Sequence, residues 1–109
     1  MIRVIITPRG RVNVIEEFVR LVAMGSIRSY VVADEDNTIE GKPGRQFEGG
    51  QVKWQYHKEP NLVIATIDND QDLLLGSFVS RLYARLGDKI RSIHIDVVNP
   101  PSWLKKKDE

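Results

Sequence analysis

Three aspartates, Asp68, Asp70 and Asp72, stand at every second position in IDNDQD and are the first candidates for chemistry. Carboxylates at the first, third and fifth positions of a loop open a calcium site. Such a loop also needs glycine at position six for its sharp turn and a bidentate glutamate at position twelve. Those positions hold Leu73 and Val79. The second acidic segment, from Asp34 to Thr38, fails in the same way, with Ile39 and Arg45 in the required places. Helix initiation explains the cluster better. Asn69 or Asp70 can accept a hydrogen bond from a free backbone N–H. Negative charge in a first turn also favours the positive end of the helix dipole, by about 0.3–1 kcal/mol per charge. Neither a metal site nor a cofactor is expected.

Ser92, His94 and Asp96 have the composition of a catalytic triad. They alternate along one strand, so they point the same way and stand about 6.5–7 Å apart. A nucleophile needs its base within hydrogen-bond reach and an oxyanion hole opposite. No G-x-S-x-G elbow is present: Ser77 follows Gly76, but Val79 stands where the second glycine belongs. His57 and His94 are the only histidines and lack zinc-ligand spacing. EGKPGRQFEGG, with Lys42 and Arg45 among its glycines, leads into a strand rather than a helix. It is read as a hairpin and not as a Walker A phosphate loop. No convergent catalytic set results, and no enzymatic activity is expected.

The elements that would position these residues follow from periodicity and punctuation. IRVIIT (2–7) is β-branched and reads as a strand. Asn13 with Glu16 forms a capping-box pattern, Ile15, Phe18, Val19 and Val22 make a helical apolar stripe, and Gly25 is the stop. IRSYVVA (27–33) reads as a strand, DEDNTIEGKPG as a loop or a mobile hairpin tip, and residues 45–48 as a short strand before the Gly49-Gly50 turn. Val52, Trp54 and Tyr56 alternate with polar residues, giving a strand with one apolar face. LVIATI (62–67) is apolar on both faces. It therefore calls for cover on both sides, from the Gly49-Gly50 hairpin or from a second protomer. A helix over about 71–86 carries Leu74 or Leu75, Phe78, Val79, Leu82 and Leu86 on one face. The last strand spans 89–98, and Asn99-Pro100-Pro101 stops it.

The fold expected is α+β: a mainly antiparallel sheet with two helices on one face, in the ferredoxin-like order βαβ-(hairpin)-βαβ. A profilin- or longin-like sheet is the alternative. Residues 1–99 form the single domain and 100–109 a polar C-terminal tail.

The chain has 109 residues, 41% hydrophobic and 28% charged, with a formal net charge of +1. That suits one globular domain and gives no global attraction to nucleic acid or anionic membrane. There is no cysteine, which removes disulfides and thiolate chemistry. No apolar run approaches the length of about 20 residues that a membrane span requires. The N-terminal MIRVIITPRG has no signal-peptide pattern. The reading is a cytoplasmic protein without membrane partners, and its charge content is compatible with a thermophile.

Two functional expectations follow. The first is a non-catalytic protein-interaction or assembly module, a self-associating homodimer or accessory subunit of a larger complex. The two-sided strand 62–67, the aromatics Trp54 and Tyr56, and the tail pair Trp103-Leu104 are its partner-binding residues. The alternative is a nucleic-acid-binding ferredoxin-like domain in which Arg9, Arg11, Arg81, Arg85, Lys105, Lys106 and Lys107 contact phosphates. The RNA-binding octapeptide of such domains is absent.

Overall fold

The structure, a computed structural model, describes residues 1–98. The tail residues Pro100–Glu109, with Trp103, Leu104, Lys105, Lys106 and Lys107, lie outside the described residues. Six strands and two α-helices occur in the order β1 (Ile2–Pro8), α1 (Val14–Ala23), β2 (Tyr30–Val32), β3 (Thr38–Gly41), β4 (Gln51–His57), β5 (Leu62–Ile67), α2 (Asp72–Leu86) and β6 (Ile90–Val97). A single 3-10 turn, Gly87–Lys89, joins α2 to β6.

The strands form one sheet in the order β2-β3-β4-β5-β1-β6, and every neighbouring pair is antiparallel. β2 to β5 form a meander. β1 is inserted between β5 and β6, which therefore run parallel to each other with α2 as their crossover. β1 shows the period-two logic directly: Ile2, Val4, Ile6 and Pro8 are buried while Arg3, Ile5 and Thr7 are half-buried. Cross-strand neighbours share a face. Val4 stands opposite Ala65 and Ile6 opposite Val63, so the buried residues of β1 and β5 form one continuous face.

Both helices pack on that face. α1 contributes Val14, Ile15, Phe18 and Val22, and α2 contributes Leu74, Phe78, Leu82 and Leu86 to the same buried core. The four α2 residues recur at i,i+4, a narrow stripe that suits one shared layer. Phe18 and Phe78 meet edge to face, with ring centroids 5.3 Å apart and planes at 79°. This arrangement adds to the area they bury.

α1 is bounded by its own sequence. The Asn13 side chain accepts a hydrogen bond from the Glu16 N–H at 3.1 Å. Only this half of the capping box forms, because Glu16 faces Arg20 instead. At the other end the Gly25 N–H donates to Val22 O and the Ser26 N–H to Leu21 O, with Gly25 at φ +79°. These are the two bonds of a Schellman motif, and the left-handed position favours glycine. The turn drives Ile27 back into the core.

Three local readings change. TIEG, expected in a loop or a hairpin tip, is strand β3, because Ile39 is fully buried and pairs with both Val32 and Val52. Residues 45–48 form turns with one isolated bridge, Gly41 to Glu48, rather than a strand. The Gly49-Gly50 connection does not fold over the sheet to cover β5. It links β3 to β4 within the sheet, so the outer face, with Ile5, Leu62 and Ile64 half-buried, has no helix on it.

Candidate functional site

Asp68, Asp70 and Asp72 are all exposed. α2 starts later than the aspartates suggested: its N-cap is Gln71, without a side-chain cap bond, so neither Asn69 nor Asp70 caps it. The reason is a turn in which the Gln71 N–H donates to Asp68 O at 3.0 Å, which delays the helix. Asp72 takes a first-turn position, where its charge suits the dipole. Among the described residues, no three His, Cys, Asp or Glu side chains gather as a metal site would require.

Ser92, His94 and Asp96 share the outer face of β6. There they stand opposite Thr7, Ile5 and Arg3 of β1. The Asp96 carboxylate accepts from Arg3 Nη2 at 2.9 Å. It is committed to an ion pair across the strands rather than to orienting His94.

β6 itself is more informative. It is an eight-residue edge strand, and among the described residues nothing is paired on its outer side. The Val98 N–H donates to Met1 O at 2.9 Å. In an antiparallel ladder bonded and non-bonded pairs alternate. The even-numbered residues therefore bond to β1, and Ile93, Ile95 and Val97 direct their N–H and C=O groups outward. The same three side chains lie on the helix-covered face, opposite Ile6, Val4 and Ile2. The helices do not reach them fully: Ile95 is 45% and Val97 48% exposed, beside exposed Val98 and Met1. Unpaired backbone and uncovered apolar surface thus coincide on one edge.

The described arginines expected to contact phosphates divide into two groups. Arg9 is tied to the 3-10 turn that follows α2: its N–H donates to Lys89 O and its Nε to Ile90 O. Arg11 lines a small cavity with Tyr56, Lys58 and the 59–61 turn. Arg81 and Arg85 face the opposite end of α1. They border an open basin of about 620 Å3 together with Arg28, Arg45 and the turn from Met24 to Ser29. Arg85 Nη2 donates to Ser26 O at 2.8 Å, tying α2 to the Schellman turn. Arg28 and Arg45 escaped sequence reading for different reasons. Arg28 looked like the polar position of a strand, and Arg45 belonged to a glycine-rich segment whose folded neighbours were not legible.

The wall beneath this basin is rigid. Tyr30 is buried, packs between Phe18 and Phe47 at centroid distances of 6.0 and 5.7 Å, and its hydroxyl is 2.6 Å from Ser77 Oγ. Burial pushes the Tyr30 pKa up from its ordinary 10.0, and the Ser77 hydrogen bond and the charge of Arg81 partly oppose this. Phe47 anchors the loop that carries Arg45, and Gly41 leaves room for it: a Cβ at Gly41 would collide with the Phe47 carbonyl oxygen.

Trp54 is half-buried against the core, and the exposed Tyr56 hydroxyl donates to Asn61 Oδ1 at 2.8 Å. They border a second, smaller hollow against Ile15 and Val19 of α1. Among the described residues no helix is long and apolar enough to cross a membrane. No protein-family model matches the chain, and no curated protein or solved structure does.

Proposed function

We propose that the chain is a non-catalytic, self-associating assembly module, an accessory subunit whose occupant at the β6 edge is a second copy of itself. The observation that carries this reading is the coincidence of a free backbone ladder with exposed Ile95 and Val97 on β6. Long apolar edges are ordinarily blocked, because they template pairing with another chain. β6 has neither a proline nor a covering element among the described residues.

The sequence of β6 supports a two-fold, antiparallel match centred on Ile95. That register sets Ile95 against its own copy and Ile93 against Val97 on the helix side. On the outer side it sets His94 against Asp96 twice. Asp96 bonds Arg3 through Oδ2, so its second oxygen remains to accept from the partner's imidazole. Each copy meets the same patch on the other, as an isologous dimer requires. The two sheets then become one. The four strands β6-β1-β5-β4 are the core of a ferredoxin-like plan in this reading, and the β2–β3 hairpin extends it on the side away from the dimer. Trp103 and Leu104, which follow β6 in the sequence, are further partner-binding residues in this reading.

Size-exclusion chromatography with light scattering tests the reading. The wild-type chain is expected to run as a dimer at both low and high salt, and Ile95→Lys as a monomer with an unchanged far-UV spectrum. A wild-type monomer at every concentration would overturn the proposal. A dimer that survives Ile95→Lys but dissociates in Trp103→Ala would shift the contact from the strand edge to the tail.

A further inference from the structure

Arg28, Arg45, Arg81 and Arg85 border one basin, and among the described residues no acidic side chain lines it with them. They arrive from three directions: Arg28 from the α1–β2 connection, Arg45 from the β3–β4 loop, and Arg81 and Arg85 from successive turns of α2. None of the four takes part in the ion pairs among the described residues, which join Arg3 to Asp96, Arg20 to Glu16, Lys53 to Glu35 and Lys89 to Glu17. Among the described residues, Arg85 alone of the four has a side-chain hydrogen bond, to Ser26 O. The other three guanidiniums hold no element in place.

This grouping works against the folded state. Like charges at i,i+4 on a helix repel, and Arg28 and Arg45 add two more positive charges around the same space. A chain whose net charge is only +1 has concentrated four arginines where no carboxylate offsets them. An anionic ligand would relieve that repulsion.

We propose that the basin binds a compact ligand carrying two or more phosphate groups. Guanidinium forks pair with phosphate oxygens in a bidentate way, and guanidiniums from three sides can engage more than one phosphate at once. The basin, about 620 Å3, lies within the usual range of ligand sites, about 300–1,000 Å3. Among the described residues no aromatic side chain lines it, so they offer it none of the stacking surface that single-stranded nucleic acid uses. Its walls are preorganised: the Schellman turn fixes the Arg28 side, Phe47 seats the Arg45 loop on Tyr30, and α2 carries the remaining pair. The site is separate from the β6 edge and stands or falls independently of it.

Isothermal titration of the full chain at constant ionic strength, with inorganic phosphate, pyrophosphate, tripolyphosphate and sulfate, tests the proposal. Tripolyphosphate is expected to bind at least about tenfold more tightly than phosphate or sulfate, and Arg45→Gln and Arg81→Gln are each expected to weaken it about tenfold. Arg11→Gln, on the other side of the molecule, is expected to leave it unchanged. Melting in ligand-free buffer serves as a second readout: Arg45→Gln and Arg81→Gln should melt at or above the wild-type temperature, because they relieve repulsion. The proposal is overturned by absence of tripolyphosphate binding, by sulfate binding equally well, or by lower melting temperatures that mark the arginines as structural. Binding of a single-stranded oligonucleotide weakened equally by Arg11→Gln and Arg81→Gln would also overturn it, in favour of an extended nucleic-acid surface.

Discussion

The two edges of the sheet solve the same problem in opposite ways. β2 is three residues long, and its first residue, Tyr30, is locked between Phe18 and Phe47 and bonded to Ser77. Its pairing is extended by the Lys42 N–H donating to Ser29 O, and a wall of arginines stands beside it. β6 is eight residues long, pairs among the described residues with β1 alone, and leaves apolar side chains in solvent. Both edges expose apolar side chains, Val31 and Val32 on β2 and Ile95 and Val97 on β6; short and anchored against long and free is the difference between an edge protected from pairing and one available for it.

Substitutions can break this contrast. Tyr30→Ala should produce the largest effect, a loss of about 3–5 kcal/mol in urea unfolding, because it removes a buried aromatic and leaves a cavity. A loss below about 1 kcal/mol would mean that the β2 edge is no better anchored than the other. Gly25→Ala should cost about 1–2 kcal/mol, because the Cβ meets nothing nearby and the whole penalty comes from the left-handed backbone. Asn13→Ala should cost about 1 kcal/mol through the lost cap, read in the same assay. Ile95→Ala should change monomer stability by no more than about 0.5 kcal/mol, measured at dilution, while still weakening association.

A pH measurement sharpens the comparison at its anchored end. The folded-state pKa of Tyr30 is raised above its unfolded value, mainly by burial. The stabilisation tied to its neutral form is complete below the ordinary value of 10.0 and is lost as pH rises through the higher folded-state value. Wild-type stability should therefore fall more steeply above pH 10 than that of Tyr30→Phe. Identical alkaline slopes would count against a buried, neutral Tyr30.

What could be read from the sequence is what depends on near neighbours. α1 was legible from end to end because Asn13, its stripe and Gly25 all act within a turn of the helix. α2 was legible in its stripe but not in its start, since several adjacent residues offered caps and the turn at Asp68 decided among them. β3 was missed because TIEG has little strand character of its own. Its partners Val32 and Val52 define it, one on each side. The arginine basin depends on residues from distant segments converging, and no periodicity signals that. The identity of the free edge has the same origin: 90–97 reads as a strand, but only the strand order reveals that it has one neighbour.

That strand order also bears on how the molecule is made. β1 is first along the chain, yet both of its partners come late: Ile2 pairs with Ile67 and with Val97. A chain emerging from the ribosome would carry an unpaired, β-branched strand until β5 and then β6 had been synthesised. Closing such long loops is slow relative to forming α1 or the meander. During that interval β1 would be the segment most in need of a chaperone's protection.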